Sequence, residues 1–378
     1  MQVRNVVLPI AAAALIGVFV VPGGSTDEVG GADISFGSQH LNLVAYAVAK
    51  QGFDAIIPAY REHADTGFAQ SYGASGDQSR KVERRVPADI VNLSVEPDVT
   101  RLVRAGVVEE SWQDNIPGDE SGKAVPFGSV VTFVTREGNP LNIQTWDDLL
   151  NVEVISPNPA SSGSAKWNLL APYAAWFYAK QEQGGSLQEA HEYASEKLTQ
   201  LIGNSFRLRP KSGREATSTF EQGQGDVLLS YENEAILLAN SGASISYLNP
   251  AQTFRIENPV AVVGIGEEKN PEAINFRDYL FTPEAEQVWQ QQGFRPGPAL
   301  FHDVTLPAPF APFDVAYSID DLSRSFQQLA KENPALAQQY NLDGKSGWAI
   351  VDALLFQRAE SGGGATDGVI TKIYREAL

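Results

Sequence analysis

PNPASSGSAKW, residues 157–167, follows the β-branched run VEVIS (Val152–Ser156) and leads into a helical pattern that continues through Asn168, Leu169 and Leu170. Two prolines flank an asparagine. Ser161, Ser162, Gly163 and Ser164 then open the helix without a bulky side chain. A strand, a small-residue turn and a helix is the repeating unit of an α/β sheet with mostly parallel strands. In such sheets ligands sit beyond the carboxyl ends of strands, where helices begin. Helix N-termini present N–H groups without acceptors and the positive end of the dipole, so they attract anions. Gly and Ser allow close backbone approach. They also serve as ordinary helix caps, so one such turn does not make a site.

The same layout recurs outward from this stretch. Leu41–Ala49 (LNLVAYAVA) reads as a buried strand entering a helix, FDAIIPAYREH. GFAQSYGAS is a strand ending in a small-residue turn, and GDQSRKVERRV is a helix stopped by Pro87. ADIVNLSV and SVVTFVTRE are further strands. TWDDLLN is a short helix capped by Thr145, with Asp147 and Asp148 suited to the dipole of its first turn. One long helical region runs from the opening stretch to about Ile202. GREATSTFEQGQ is helix, GDVLLSYENEAI is strand then helix, and NPVAVVGIGEE is a strand that returns to the first part of the chain. From Pro283 the pattern is helical with proline-rich breaks. Four segments thus place a helix start after a strand: VAYAVA, SYGASGDQ, NPASSGSAKW and KSGREATS.

The chain has 378 residues, 43% hydrophobic and 20% charged, a globular balance at a length that suits two lobes. Its net charge is −18, which argues against nucleic-acid binding. The basic cluster Arg80, Lys81, Arg84 and Arg85 has the spacing of a solvated helix face. With no cysteine there is no disulfide, thiolate metal ligand or thiol nucleophile. His40, His63, His191 and His302 are scattered, and neither H-E-x-x-H nor G-x-S-x-G occurs. GKS at Gly344 has Gln339 where a Walker loop needs its first glycine. Nothing in these residues requires catalysis, a cofactor or a metal. Arg4 ahead of the apolar run Val6–Val21, followed by PGGSTDEVGGAD, has the form of a secretory signal. No A-x-A site marks its cleavage, and an uncleaved anchor is the alternative. Either way the body of the protein is expected outside the cytoplasm, periplasmic or extracellular.

The blocks SYGASGDQ, ADIVNLSV, VTREGNPLNIQTWDDLL, VISPNPASSGSAKWNLLA, STFEQGQGDVLLSYENEA and FRPGPA resemble, in order and spacing, those of the sulfate- and thiosulfate-binding proteins of bacterial ABC transporters. The likeness covers roughly residues 40 to 300. It implies a type II periplasmic-binding-protein fold: two α/β lobes joined by a hinge and closing on the ligand. On this resemblance residues 1–32 form the signal or anchor, 33–127 the first part of lobe I, 128–252 lobe II, and 253–378 the return to lobe I with a helical C-terminal region. It implies a dehydrated sulfate dianion held by neutral donors, delivery to ABC permease subunits, and a monomer.

Carried over position by position, the resemblance assigns the Ser162 hydroxyl and the N–H groups of Gly163 and Ser164 to the anion. It adds the N–H of Ala47, Ser75 in its small-residue turn, the N–H of Gly213, and Tyr231 where relatives carry a tryptophan indole. Arg214, Gly76 and Trp167 stand behind these donors. Tyr231 can donate or accept, and Glu215 and Asp77 bring negative charge near the proposed anion. These departures keep phosphate, molybdate or an organic anion open as ligands. The preferred reading turns Asp77 and Glu215 to water in first helical turns. Ferric ion is disfavoured, and a sensor or an enzyme on the same scaffold is the alternative from another class. The stretch 325–346 looks inserted relative to the family.

Overall fold

The computed structural model describes residues 39–302, 304–359 and 366–377; the proposed signal or anchor lies outside the described residues. The chain opens with β1 (Gln39–Tyr46), whose last four residues are buried, as a central parallel strand covered on both faces requires. A short 3-10 turn, Ala47–Ala49, leads into α1 (Lys50–Tyr60). Then follow β2 (Thr66–Gly73), α2 (Ser75–Glu83), β3 (Ile90–Asn92) and α3 (Glu96–Arg104). β1 pairs in parallel with both β2 and β3.

A second sheet begins with β4 (Phe127–Arg136), buried along nearly its whole length. Onto it the chain adds β5 (Val154–Ile155), α4 (Gly163–Glu182), α5 (Leu187–Asn204), β6 (Phe206–Leu208), α6 (Gly213–Glu221), β7 (Val227–Tyr231), α7 (Glu232–Asn240), β8 (Ile245–Leu248) and β9 (Gln252–Asn258). The helical region expected to run unbroken to Ile202 is two helices. Gly184 takes φ +86°, and Ser186 with Glu189 forms the capping box of the next helix. Thr145 and Asp148 likewise cap the turn Trp146–Asn151.

The chain then returns. β10 (Val260–Val262) pairs antiparallel with β3 and completes the first sheet in the order β10-β3-β1-β2. Helices α8 (Pro271–Tyr279) and α9 (Pro283–Gln291) pack on this side, where Trp289 stacks on Phe127 at 3.9 Å and meets Phe53 edge-on. β11 (Arg295–Pro296) and the short α10 (Gly297–Phe301) lead back to β4, and β12 (Val315–Tyr317) joins β9 in parallel. The second sheet thus runs β12-β9-β4-β7-β5-β6, with β8 and β11 also on β4. Where the chain crosses between the sheets, the Leu93 N–H bonds Pro259 O at 3.1 Å and the Val260 N–H bonds Ala124 O at 2.9 Å.

The C-terminal helices are α11 (Ile319–Glu332), α12 (Pro334–Tyr340), α13 (Gly347–Val351) and α14 (Val369–Glu376). They cover α4 and α5 on the second-sheet side. Tyr317 stacks on Tyr178 at 4.4 Å, Phe326 meets Tyr173 and Phe177, and the Asn333 amide bonds Gln188. Helix α13 also touches α3, and its Trp348 lies edge-on to Trp167 at 4.9 Å. Among the described residues no helix is long and apolar enough to cross a membrane.

Candidate anion-binding site

Several helix starts meet in the gap between the two sheets. Ser75 opens α2 just after β2, Gly163 opens α4 after β5, and Gly213 opens α6. Ala47 begins the 3-10 turn after β1, and that turn packs on α6. Tyr231 is the last residue of β7 and the cap position of α7. Distances show how close these points come. A Cβ added to Gly163 would lie 2.7 Å from Ser94 Cβ and 3.3 Å from Ser75 Cβ. One added to Gly213 would lie 3.0 Å from both Ser164 Oγ and Val48 Cγ2. The Gly76 N–H bonds Ser161 O across the gap at 3.1 Å. Residues separated by more than a hundred positions therefore share one small volume.

The helix-start N–H groups of Ser75, Gly163, Ser164 and Gly213 have no intrahelical acceptor. Ser162 caps α4 by position, yet its side chain accepts no cap hydrogen bond. Ser162 is a buried residue, so this uncommitted cap side chain sits inside the gap. The Ser75 hydroxyl, by contrast, is already committed: it donates to Asp98 Oδ2 at 2.6 Å and accepts the Ser94 N–H at 2.9 Å. What Ser75 has left to offer is its backbone N–H.

Ser94, which the sequence alone did not single out, is the hub. Its carbonyl accepts the Trp167 indole N–H at 2.8 Å and the Asn258 amide at 3.1 Å. Its hydroxyl lies 2.7 Å from the Tyr231 hydroxyl. Asn258 in turn accepts the Tyr46 hydroxyl at 2.9 Å. Ser94 follows β3, so its place at a strand's carboxyl end was the available signal. Tyr46 and Asn258 carried no signal, because their roles depend on the return of β9.

Burial pushes the Tyr231 phenol up to about 12, against the pull of hydrogen bonds with Ser94 and Ser164. It is therefore neutral and keeps its proton at physiological pH. Arg214 points away to the buried Glu234, 2.8 Å distant, and Thr217 donates to the same carboxylate at 2.8 Å. Burial raises the Glu234 carboxyl while Arg214 lowers it, so the guanidinium is compensated behind the site. Asp77 pairs with Arg80, and exposed Glu215 accepts the Lys211 N–H at 2.9 Å. Both acidic departures thus spend their charge on the helix surface. Each helix N-terminus carries about half a positive charge, so the starts of α2, α4 and α6 together offer roughly one and a half, most of the charge needed to balance a dianion.

Two interlocked α/β sheets with convergent helix starts define a two-lobed solute-binding protein. Residues 41–295 match the model of the bacterial extracellular solute-binding protein family, and the chain belongs to that family. It is 35% identical over 326 residues to a sulfate-binding protein of Synechococcus elongatus, covering 83% of this chain and 88% of the relative. A thiosulfate-binding protein of Pseudomonas aeruginosa is 32% identical over 279 residues, covering 68% of this chain and 79% of the relative. The solved structure of the sulfate-binding protein SubI from Mycobacterium tuberculosis H37Rv superposes with a TM-score of 0.69 at 44% identity, covering 84% of this chain and all of that one.

Proposed function

We propose that this protein is an extracytoplasmic receptor that captures sulfate, and thiosulfate as a close analogue, and hands it to the permease subunits of an ABC transporter. The observation that carries this reading is the meeting of uncharged donors from both sheets: the starts of α2, α4 and α6, the turn at Ala47, the Ser162 hydroxyl and the Tyr231 phenol. Such donors can hold a dianion without a competing proton equilibrium. Low local dielectric strengthens each bond once water is excluded.

Binding closes two lobes in this reading. Lobe one is the first sheet with α8 and α9, and lobe two is the second sheet with the C-terminal helices. Trp167 to Ser94, Gly76 to Ser161 and Ser94 to Tyr231 are the bonds that join them. The crossings near Leu93 and Val260 act as the hinge. The protein works as a monomer, outside the cytoplasm, held or exported by its N-terminal segment.

Isothermal titration of the purified protein with sulfate, thiosulfate, phosphate and molybdate at pH 6 and pH 8 tests the proposal. Sulfate should bind tightest and equally at both pH values, because neither the ligand nor Tyr231 titrates there. Phosphate presents a protonated oxygen to a site built mostly from N–H donors, and should bind more weakly. A preference for phosphate, or no sulfate binding at all, would overturn the assignment.

A further inference from the structure

A cavity of about 320 Å³ borders the site and shares Gly76, Ser162 and Gly163 with it. Five cationic side chains line it, Arg80, Arg101, Arg104, Lys166 and Arg358, against the carboxylates Asp98 and Asp352. Three of these cations are paired: Arg80 with Asp77, Arg101 with Asp98 at 3.3 Å, and Lys166 with Asp352 at 2.6 Å. Arg104, at the end of α3, and Arg358, beyond the turn Asp352–Phe356, are exposed and have no ion-pair partner among the described residues. The walls come from both sides of the gap: α2 and α3 on one, the start of α4 and the segment at Arg358 on the other.

This concentration runs against the chain as a whole. A net charge of −18 repels a dianion at long range. Cations gathered on a concave wall focus an attractive field and raise the local concentration of anions. Exposed, hydrated guanidiniums hold an ion only weakly, by about 0–1 kcal/mol per pair, so such a wall collects anions without trapping them.

We infer that this cavity is an outer anion site that draws a tetrahedral dianion such as sulfate from solution and passes it to the neutral donors of the inner site. The inference rests on the receptor reading above. The division of labour is physical: charge sets how fast the anion arrives, and buried uncharged donors set how long it stays.

The test is stopped-flow tryptophan fluorescence of the full chain mixed with sodium sulfate, comparing wild type with Arg104→Gln/Arg358→Gln. In the double variant kon should fall roughly 3- to 10-fold at about 0.01 M ionic strength and rejoin wild type near 1 M, where the screening length shrinks from about 30 Å to about 3 Å. Its koff should not change. A control pair, Lys81→Gln/Arg84→Gln, removes the same charge from exposed positions of and just after α2 that do not line the cavity, and should keep the wild-type kon. An unaltered kon in the Arg104/Arg358 variant would overturn the outer site, as would an equal fall in the control or a change confined to koff. Tight equilibrium binding by wild type beside an unaltered kon would sink the outer site alone. Failure of wild type to bind sulfate would sink the receptor reading, and this inference with it.

Discussion

Replacing Gly163 by alanine puts a methyl group where the two sides of the site already touch. The new Cβ would stand 2.7 Å from Ser94 Cβ, 2.8 Å from Ser94 Oγ and 3.3 Å from Ser75 Cβ. Carbon atoms rest about 3.5–4.0 Å apart, so the start of α4 must retreat from Ser94 by about 1 Å. That distance takes a donor from about 2.9 Å to nearly 4 Å, beyond hydrogen bonding. The N–H groups of Gly163 and Ser164 ride on the same helix turn and move together. A hydrogen bond to a charged partner contributes about 1.5–3 kcal/mol, so weakening this pair should cost about 2–4 kcal/mol of binding. The Kd for sulfate should then rise roughly 30- to 1,000-fold. The ligand-free fold should not suffer, because opening the gap relieves the contact and Gly163 holds no positive φ that alanine would strain. Titration calorimetry gives the affinity, and thermal unfolding without sulfate gives the control. A Kd within about twofold of wild type would refute the close approach as the reason for glycine here. Parallel losses of affinity and Tm would instead mean that the helix itself was damaged, which also defeats the argument.

Two more predictions address single groups. Ser162→Ala removes a hydroxyl that caps nothing, so the Kd for sulfate should rise about 10- to 100-fold while Tm holds steady; a fall in Tm without loss of affinity would make Ser162 structural. His191 is buried, bonded to the Tyr173 hydroxyl at 2.7 Å, and burial lowers its pKa to about 4 from 6.5. As pH falls below 6.5 the unfolded chain takes up a proton that the folded chain refuses until about 4, so stability drops across that window, by about 3 kcal/mol at most. Urea unfolding at pH 7 and pH 4.5 should show this drop in wild type and a shallower one in His191→Gln; identical drops would exclude His191 as the source.

Much of the α/β order was legible because apolar periodicity and turn chemistry are local. The strand-turn-helix units around Ser75, Gly163 and Gly213 and the Thr145 cap all follow from residues a few positions apart. The break between α4 and α5 was written there too, in Gly184 and the Ser186–Glu189 capping box, but the apolar pattern on either side masked it. The stretch 325–346 looked inserted, and its sequence did not say where it goes. Phe326 and Asn333 place it on α4 and α5 through contacts no local pattern encodes.

The same contrast governs the site. From the sequence by itself come the candidate donors: small residues at helix starts, a net charge too acidic for nucleic acid, and motifs that resemble one receptor family. Only the tertiary structure decides what each donor has left to give. It turns the Ser75 hydroxyl to Asp98, the Arg214 guanidinium to Glu234, and Asp77 and Glu215 to the helix surface. It also makes Ser94 the hub and gathers Arg104 and Arg358 around one outer cavity. The reason is that a helix end is a local property, set by the next few residues, whereas a hydrogen-bond partner or a charge neighbour is set by which distant segment the sheet order brings alongside.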